Sequence, residues 1–167
     1  IVADSLKKHV FFLADDTLLG RGIGTNESRI AREYIAGYFQ KAGLKPVGKS
    51  FFHPFLQRTG QTMLTGNNVV GMIEGSDSTL KNEYVVLGAH YDHVSYKVKD
   101  GKKIIYNGAD DNASGTSMLI ELANAFAAAP QAPRRTLVFV AFDGEESGLN
   151  GSFAFIEQKT LPVENIK

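Results

Sequence analysis

Apolar positions recur along the chain with two different periods, and the alternation between them predicts an α/β fold. Near the start Leu6, Val10 and Leu13 keep helical spacing, and Ile30, Tyr34, Ile35, Tyr38, Phe39 and Ala42 form a clearer stripe closed by Gly43. Residues 68–73, 84–89 and 136–142 are nearly continuous apolar runs, the pattern of strands buried on both faces. Phe51, Phe52 and Phe55 are strand-like, with Pro54 favouring a sheet edge. Between the last two runs Met118, Leu119, Leu122, Ala125 and Phe126 repeat at helical spacing up to Pro130 and Pro133. Strand, helix and strand therefore follow in order, which reads as a crossover onto one sheet. Asp100-Gly101, between strand-like residues 94–99 and 102–106, predicts a two-residue hairpin projecting as a small ribbon. A last helix is expected from about Asn150. Together these elements predict a mixed, mostly parallel central sheet with helices on both faces, a three-layer α/β/α arrangement.

Composition narrows the function. A length of 167 residues with 43% hydrophobic residues fits one core rather than two. Lys+Arg and Asp+Glu both total 18, so there is no basic stripe of the kind that binds nucleic acid or an anionic membrane, and neither partner is expected. No apolar run is long enough to cross a bilayer, and a start at Ile1 reads as processed or trimmed. Cysteine is absent, which excludes disulfides, thiolate nucleophiles and Cys-ligated zinc and leaves His, Asp and Glu as the strong metal ligands. Gly20-Arg21-Gly22-Ile23-Gly24-Thr25 has the look of a phosphate-cradling loop, but it lacks the lysine of a P-loop and sits between two helical patterns, so it reads as a connection.

The chemistry lies in where imidazole and carboxylate groups fall. His90 and Asp92 end one buried run, and Asp143, Glu145 and Glu146 follow another; ligands of open α/β sheets collect at that edge. The acidic turn 107–115 precedes the crossover helix and can fold back over the same strand ends. Carboxylates at one strand end are more often solvated loop residues or helix caps, but three converging segments favour a site. Zinc accepts neutral imidazole nitrogen and carboxylate oxygen, and a pair of zinc ions needs a bridging carboxylate; His90, Asp111 and Glu146 supply these contacts. The two-residue offset lets Asp92 accept the second imidazole N–H of His90. Glu145 and Glu146 are neighbours pointing in different directions, so one can bind metal while the other takes a proton from water. His93 reads as a hydrogen-bonded neighbour, and His9 and His53 as structural or exposed.

Gly88-Ala89-His90-Tyr91-Asp92-His93, the run from Gly108 to Gly115 and the run from Asp143 to Ser152 resemble, in order and spacing, the motifs of the co-catalytic di-zinc aminopeptidases, the zinc-exopeptidase family of secreted bacterial leucine aminopeptidases. The resemblance implies that His90 binds one zinc, Glu146 the other, and Asp111 bridges them, with Glu145 as general base and Asp92 orienting His90. Asp110 competes with Asp111 for the bridge, but Asp111 is the residue followed by Asn-Ala-Ser-Gly. A cis peptide at Asp111-Asn112 is implied as well. The family's remaining aspartate and histidine ligands follow the Glu-Glu motif, so residues 1–167 are expected to be the N-terminal portion of one catalytic domain, inactive alone and holding zinc weakly or partially unless a dimer completes the site. The implied activity is release of N-terminal residues from peptides with a free N-terminus, by a secreted or periplasmic bacterial enzyme. Alternatives on the same scaffold are a glutaminyl cyclase, a zinc carboxypeptidase or deacylase, and a non-catalytic binding homologue.

Overall fold

A computed structural model describes residues 1–167. Helices α1 (Ala3–Leu13) and α2 (Asn26–Lys41) come first, followed by strands β1 (Lys45–Pro46), β2 (Phe52–Thr59), β3 (Thr62–Ile73) and β4 (Tyr84–His90). The ribbon of β5 (Tyr96–Lys99) and β6 (Lys102–Ile105) precedes α3 (Ser114–Ala127), β7 (Thr136–Phe142) and α4 (Asn150–Glu157).

Strand β7 is the organising element, and every residue of Thr136–Ala141 is buried. Its side chains alternate between two cores, as the pleat of a strand requires. Leu137, Phe139 and Ala141 pack with Leu13, Ile35, Phe39, Leu119 and Ile120 of the first three helices. Val138 and Val140 pack on the opposite face with Val70, Phe155 and Leu161. The expected three layers follow, with α1, α2 and α3 on one face and α4 on the other.

The sheet is mixed, but a parallel majority is not present in these residues. Only β4 pairs with β7 in parallel; β3 runs antiparallel to β7, and β1 and β2 run antiparallel along the other edge of β3. The run at residues 68–73 is buried because β3 is flanked on both edges and covered on both faces, a situation that needs no parallel neighbour. The parallel pair is the one joined by α3, the expected crossover. Its register, His90 beside Phe142, brings the carboxyl ends of β4 and β7 level, so the segments that follow them emerge side by side. Asp100 (φ 51°) and Gly101 (φ 73°) make the hairpin turn with two left-handed residues, as a two-residue loop demands. No helix is long and apolar enough to cross a membrane.

Gly151 shows how tightly α4 is seated. A Cβ there would collide with the carbonyl oxygen of Asp143 and the Asn68 side chain, whose amide donates to Gly151 O at 2.7 Å while its oxygen accepts from Asp143 N at 3.1 Å. Gly151→Ala is expected to cost roughly 1–3 kcal/mol through forced backbone shifts. A lowered midpoint in urea with unchanged slope checks this.

Candidate functional site

Three loops bring the chemistry together. The first leaves β4 at His90. His90 Nε2 lies 3.0 Å from Asp111 Oδ1 and 3.9 Å from Glu145 Oε2, so this nitrogen faces the carboxylates. His90 Nδ1 lies 3.2 Å from the Asp92 carbonyl oxygen and 3.6 Å from its carboxylate. Because β4 ends at His90, Asp92 lies beyond the strand, and its backbone oxygen shares the imidazole with its side chain. The buried Asp92 carboxylate has a second task. It accepts from the backbone N–H of Glu145 at 3.1 Å and of Glu146 at 3.3 Å, holding the turn after β7 against the turn after β4.

The second loop, residues 107–113, carries Asp111. The Asp111-Asn112 peptide is cis, as the resemblance implies, and Asp111 (φ −116°, ψ 94°) departs from helical geometry before α3 begins. Asp111, not Asp110, reaches His90. The third loop carries Glu145 and Glu146. The ligand atoms of His90, Glu145 and Glu146 lie within 4.8 Å of one another, as do those of His93, Asp111 and Glu146. Imidazole nitrogen with carboxylate oxygen is a donor set that suits zinc. Two cavities open onto the cluster: one of about 260 Å³ touches His90, Asn112 and Glu145, and another of about 270 Å³ touches Asp92, His93 and Glu146.

Proton affinities reflect this crowding. Burial lowers the His90 pKa, but the hydrogen bond and charge of Asp92 and the charge of Glu145 outweigh it and raise the value to about 9. A metal needs the neutral imidazole. Below about pH 9 zinc must therefore displace a proton, and its apparent affinity is expected to fall about tenfold per pH unit as the pH drops. Calorimetric titrations in buffers of different ionisation enthalpy count that proton. With zinc chelated, stability moves in the other direction. A pKa raised above the unfolded value of 6.5 contributes fully below that value, and the contribution is lost as pH rises through about 9.

Two groups carry roles that the sequence pattern did not reveal. Arg21 is 1% exposed, and its guanidinium donates to Tyr91 O at 2.8 Å, Asn107 O at 2.7 Å, Gly108 O at 3.0 Å and Leu13 O. It ties the loop holding His90 to the loop holding Asp111. Burial lowers its pKa to about 10, against the pull of Asp92 and Asp111. The glycines beside it let the 20–22 loop lie against residues 93–95, with Ser95 N donating to Gly20 O at 3.3 Å. Asp143, fully buried, accepts from Asn67 N at 2.9 Å and Gly144 N at 3.0 Å, and its Oδ2 lies 3.0 Å from the Tyr91 hydroxyl. Burial pushes its carboxyl up to about 7. His9 is buried between Tyr34 and Glu121, and His53 bonds Val47 O; both are structural.

Residues 68–167 match Peptidase family M28. A "Probable zinc metalloprotease" of Pyrenophora tritici-repentis is 30% identical over 167 residues, covering 90% of this chain and 35% of that protein. The chain spans about a third or less of the length of the first curated relatives it matches. Among solved structures, a Bacteroides thetaiotaomicron glutaminyl cyclase superposes with a TM-score of 0.74 at 20% identity, over 99% of this chain and 59% of that one. The Legionella pneumophila LapA aminopeptidase superposes with a TM-score of 0.67 at 21% identity, over 95% and 39%. At these identities the structural likeness shows the fold.

Proposed function

The chain belongs to Peptidase family M28, and from that premise we propose that it supplies the zinc-binding and proton-transferring half of a metallo-aminopeptidase active site. The observation carrying this reading is the meeting of His90 Nε2 with Asp111 and Glu145 at the level ends of β4 and β7. His90, Asp111 and Glu146 are the residues that would hold zinc. Zinc, when bound there, supplies Lewis-acid polarisation of a carbonyl and makes water more acidic.

Glu145 does the proton work. Its backbone is pinned by Asp92, while its side chain is 37% exposed and makes no hydrogen bond to another protein side chain, so it is free to meet water and substrate. A Glu145 carboxylate oxygen takes a proton from the attacking water and delivers it to the leaving amine nitrogen. The products are the N-terminal amino acid and a shortened peptide with a new free amine. Export from a bacterial cell belongs to the same proposal, by resemblance to the secreted leucine aminopeptidases.

Glutaminyl cyclisation is the second reading, an activity named for a Bacteroides protein that shares this fold. Mass spectrometry of peptides beginning with Gln or Leu, incubated with an intact enzyme that carries these residues, separates the two. The aminopeptidase reading expects loss of the first residue and no reaction once the N-terminus is acetylated. Loss of ammonia from Gln peptides alone would replace it with the cyclase.

A further inference from the structure

We propose that the start of α2 and the start of β3 form a carboxylate-binding site beside the zinc loops, in which Arg32 holds a carboxylate of the peptide substrate. This rests on the peptidase reading above and adds a preference that the zinc loops do not supply. The site is a cavity of about 320 Å³ with no apolar side chain and no carboxylate on its walls, where Thr25, Asn26, Arg29, Arg32, Thr65 and Asn67 supply the polar groups. Walls of guanidinium, amide and hydroxyl groups without an acid suit an anion.

Three kinds of donor stand open there. Asn67 is 7% exposed. The side chain of the next residue, Asn68, bonds Gly151 O on the α4 side of the sheet, so the pleat turns Asn67 toward α2. Its backbone N–H donates to Asp143 and its carbonyl accepts from Tyr91, while its side-chain amide has no protein partner and faces the cavity. A buried amide left that way is costly unless a ligand or water completes it. At the helix, Thr25 Oγ1 accepts from Ser28 N at 3.1 Å, but the N–H groups of Asn26 and Glu27 find no backbone acceptor. First-turn donors of this kind sit at the positive end of the helix dipole. The third donor is a free cation. Arg29 spends its guanidinium on Glu33 and Asn26, whereas Arg32 makes no ion pair and lies over the Phe52 ring, 5.7 Å from its centroid.

Position selects the occupant. Thr25 borders this cavity and also the cavity of about 270 Å³ that touches Glu146, so the two are neighbours along one edge of the sheet. A peptide held at the zinc loops gains about 3.3–3.6 Å of reach with each extended residue, and a carboxylate a few residues beyond the cleaved bond comes past Thr25 to Arg32. That carboxylate is either the C-terminus of a short peptide or an acidic side chain of a longer one.

The test uses an intact enzyme that carries residues 1–167. Its substrates are Leu-initiated peptides of two to six residues with free or amidated C-termini, and amidated peptides with Asp at successive positions. Expected is a preference in kcat/KM of roughly tenfold or more for a free C-terminus at one length, or for Asp at one position, the worth of a charge-assisted hydrogen bond. The first pattern identifies the terminal carboxylate as the occupant and the second an acidic side chain. The preference should disappear in Arg32→Gln. It should also fall in Asn26→Asp, which places a negative charge at the cavity from an exposed position. Each preference is a ratio within one variant, so a general loss of activity cancels. Cleavage with no such preference, or a preference kept in both variants, would overturn the inference and leave the aminopeptidase reading standing. No cleavage of any peptide would overturn that reading and the inference with it.

Discussion

In an intact enzyme that carries residues 1–167, Glu145→Gln is expected to lower kcat for release of N-terminal residues by roughly 10²–10⁴-fold, the usual worth of a positioned general base, with zinc content unchanged. Glutamine has nearly the same shape and cannot take a proton. Its backbone N–H still reaches Asp92, since that contact is made by the main chain, so the fold of the turn should survive. Glu146→Gln is the contrast: the same chemical change one residue later removes a proposed ligand, and zinc should be lost together with activity. Equal zinc loss in both variants would erase the division of labour between the two glutamates. Stopped assays on aminoacyl chromogenic substrates, alongside metal analysis, read both quantities.

Arg21→Met carries the largest expected effect on stability, on the order of 3 kcal/mol. Four backbone carbonyls lose a charged donor, each such bond being worth roughly 1.5–3 kcal/mol, and the bonds to the Leu13 and Tyr91 oxygens are lost in buried surroundings, while Gly108 O keeps its bond from Ala113 N. The sum is cut back because methionine also removes the cost of burying a charge. Lysine should not rescue, since a point ammonium cannot span carbonyls from residues 13, 91, 107 and 108 as a planar fork does. A weakened zinc affinity beyond the lost stability would be the mark of a clamp between ligand loops. Chemical denaturation and zinc titration of the same variant measure both.

Much of the framework was legible in the chain because it is written in local pattern. Burial of β7 at every position from Thr136 to Ala141 made a continuous apolar run, and the crossover through α3 showed in its spacing and closing prolines. Strand direction was not legible. A run buried on both faces looks the same whether its neighbour is parallel or antiparallel, and β3 proved to run against β7. At the site, His90, Asp92, Asp111, Glu145 and Glu146 stood out because metal and acid–base chemistry restricts residue types, and the loops do bring them together. The Asp92 clamp on the Glu145-Glu146 backbone did not show, since it is a side chain bonding main-chain N–H groups 53 and 54 residues away. Arg21 was missed for the same reason. Its partners are carbonyl oxygens, which every residue has, and the one available hint was an arginine between glycines inside a stretch too short to be a strand.

The claim that His90, Asp111 and Glu146 hold zinc while Glu145 stays free is tested most directly by anomalous diffraction from zinc-soaked crystals, with data collected on both sides of the zinc absorption edge. The account expects an edge-dependent peak about 2.0–2.2 Å from His90 Nε2 and from a carboxylate oxygen of Asp111, with the Glu145 side chain outside bonding distance. A peak bound by Glu145 in place of Asp111, or zinc found only away from His90, would contradict it.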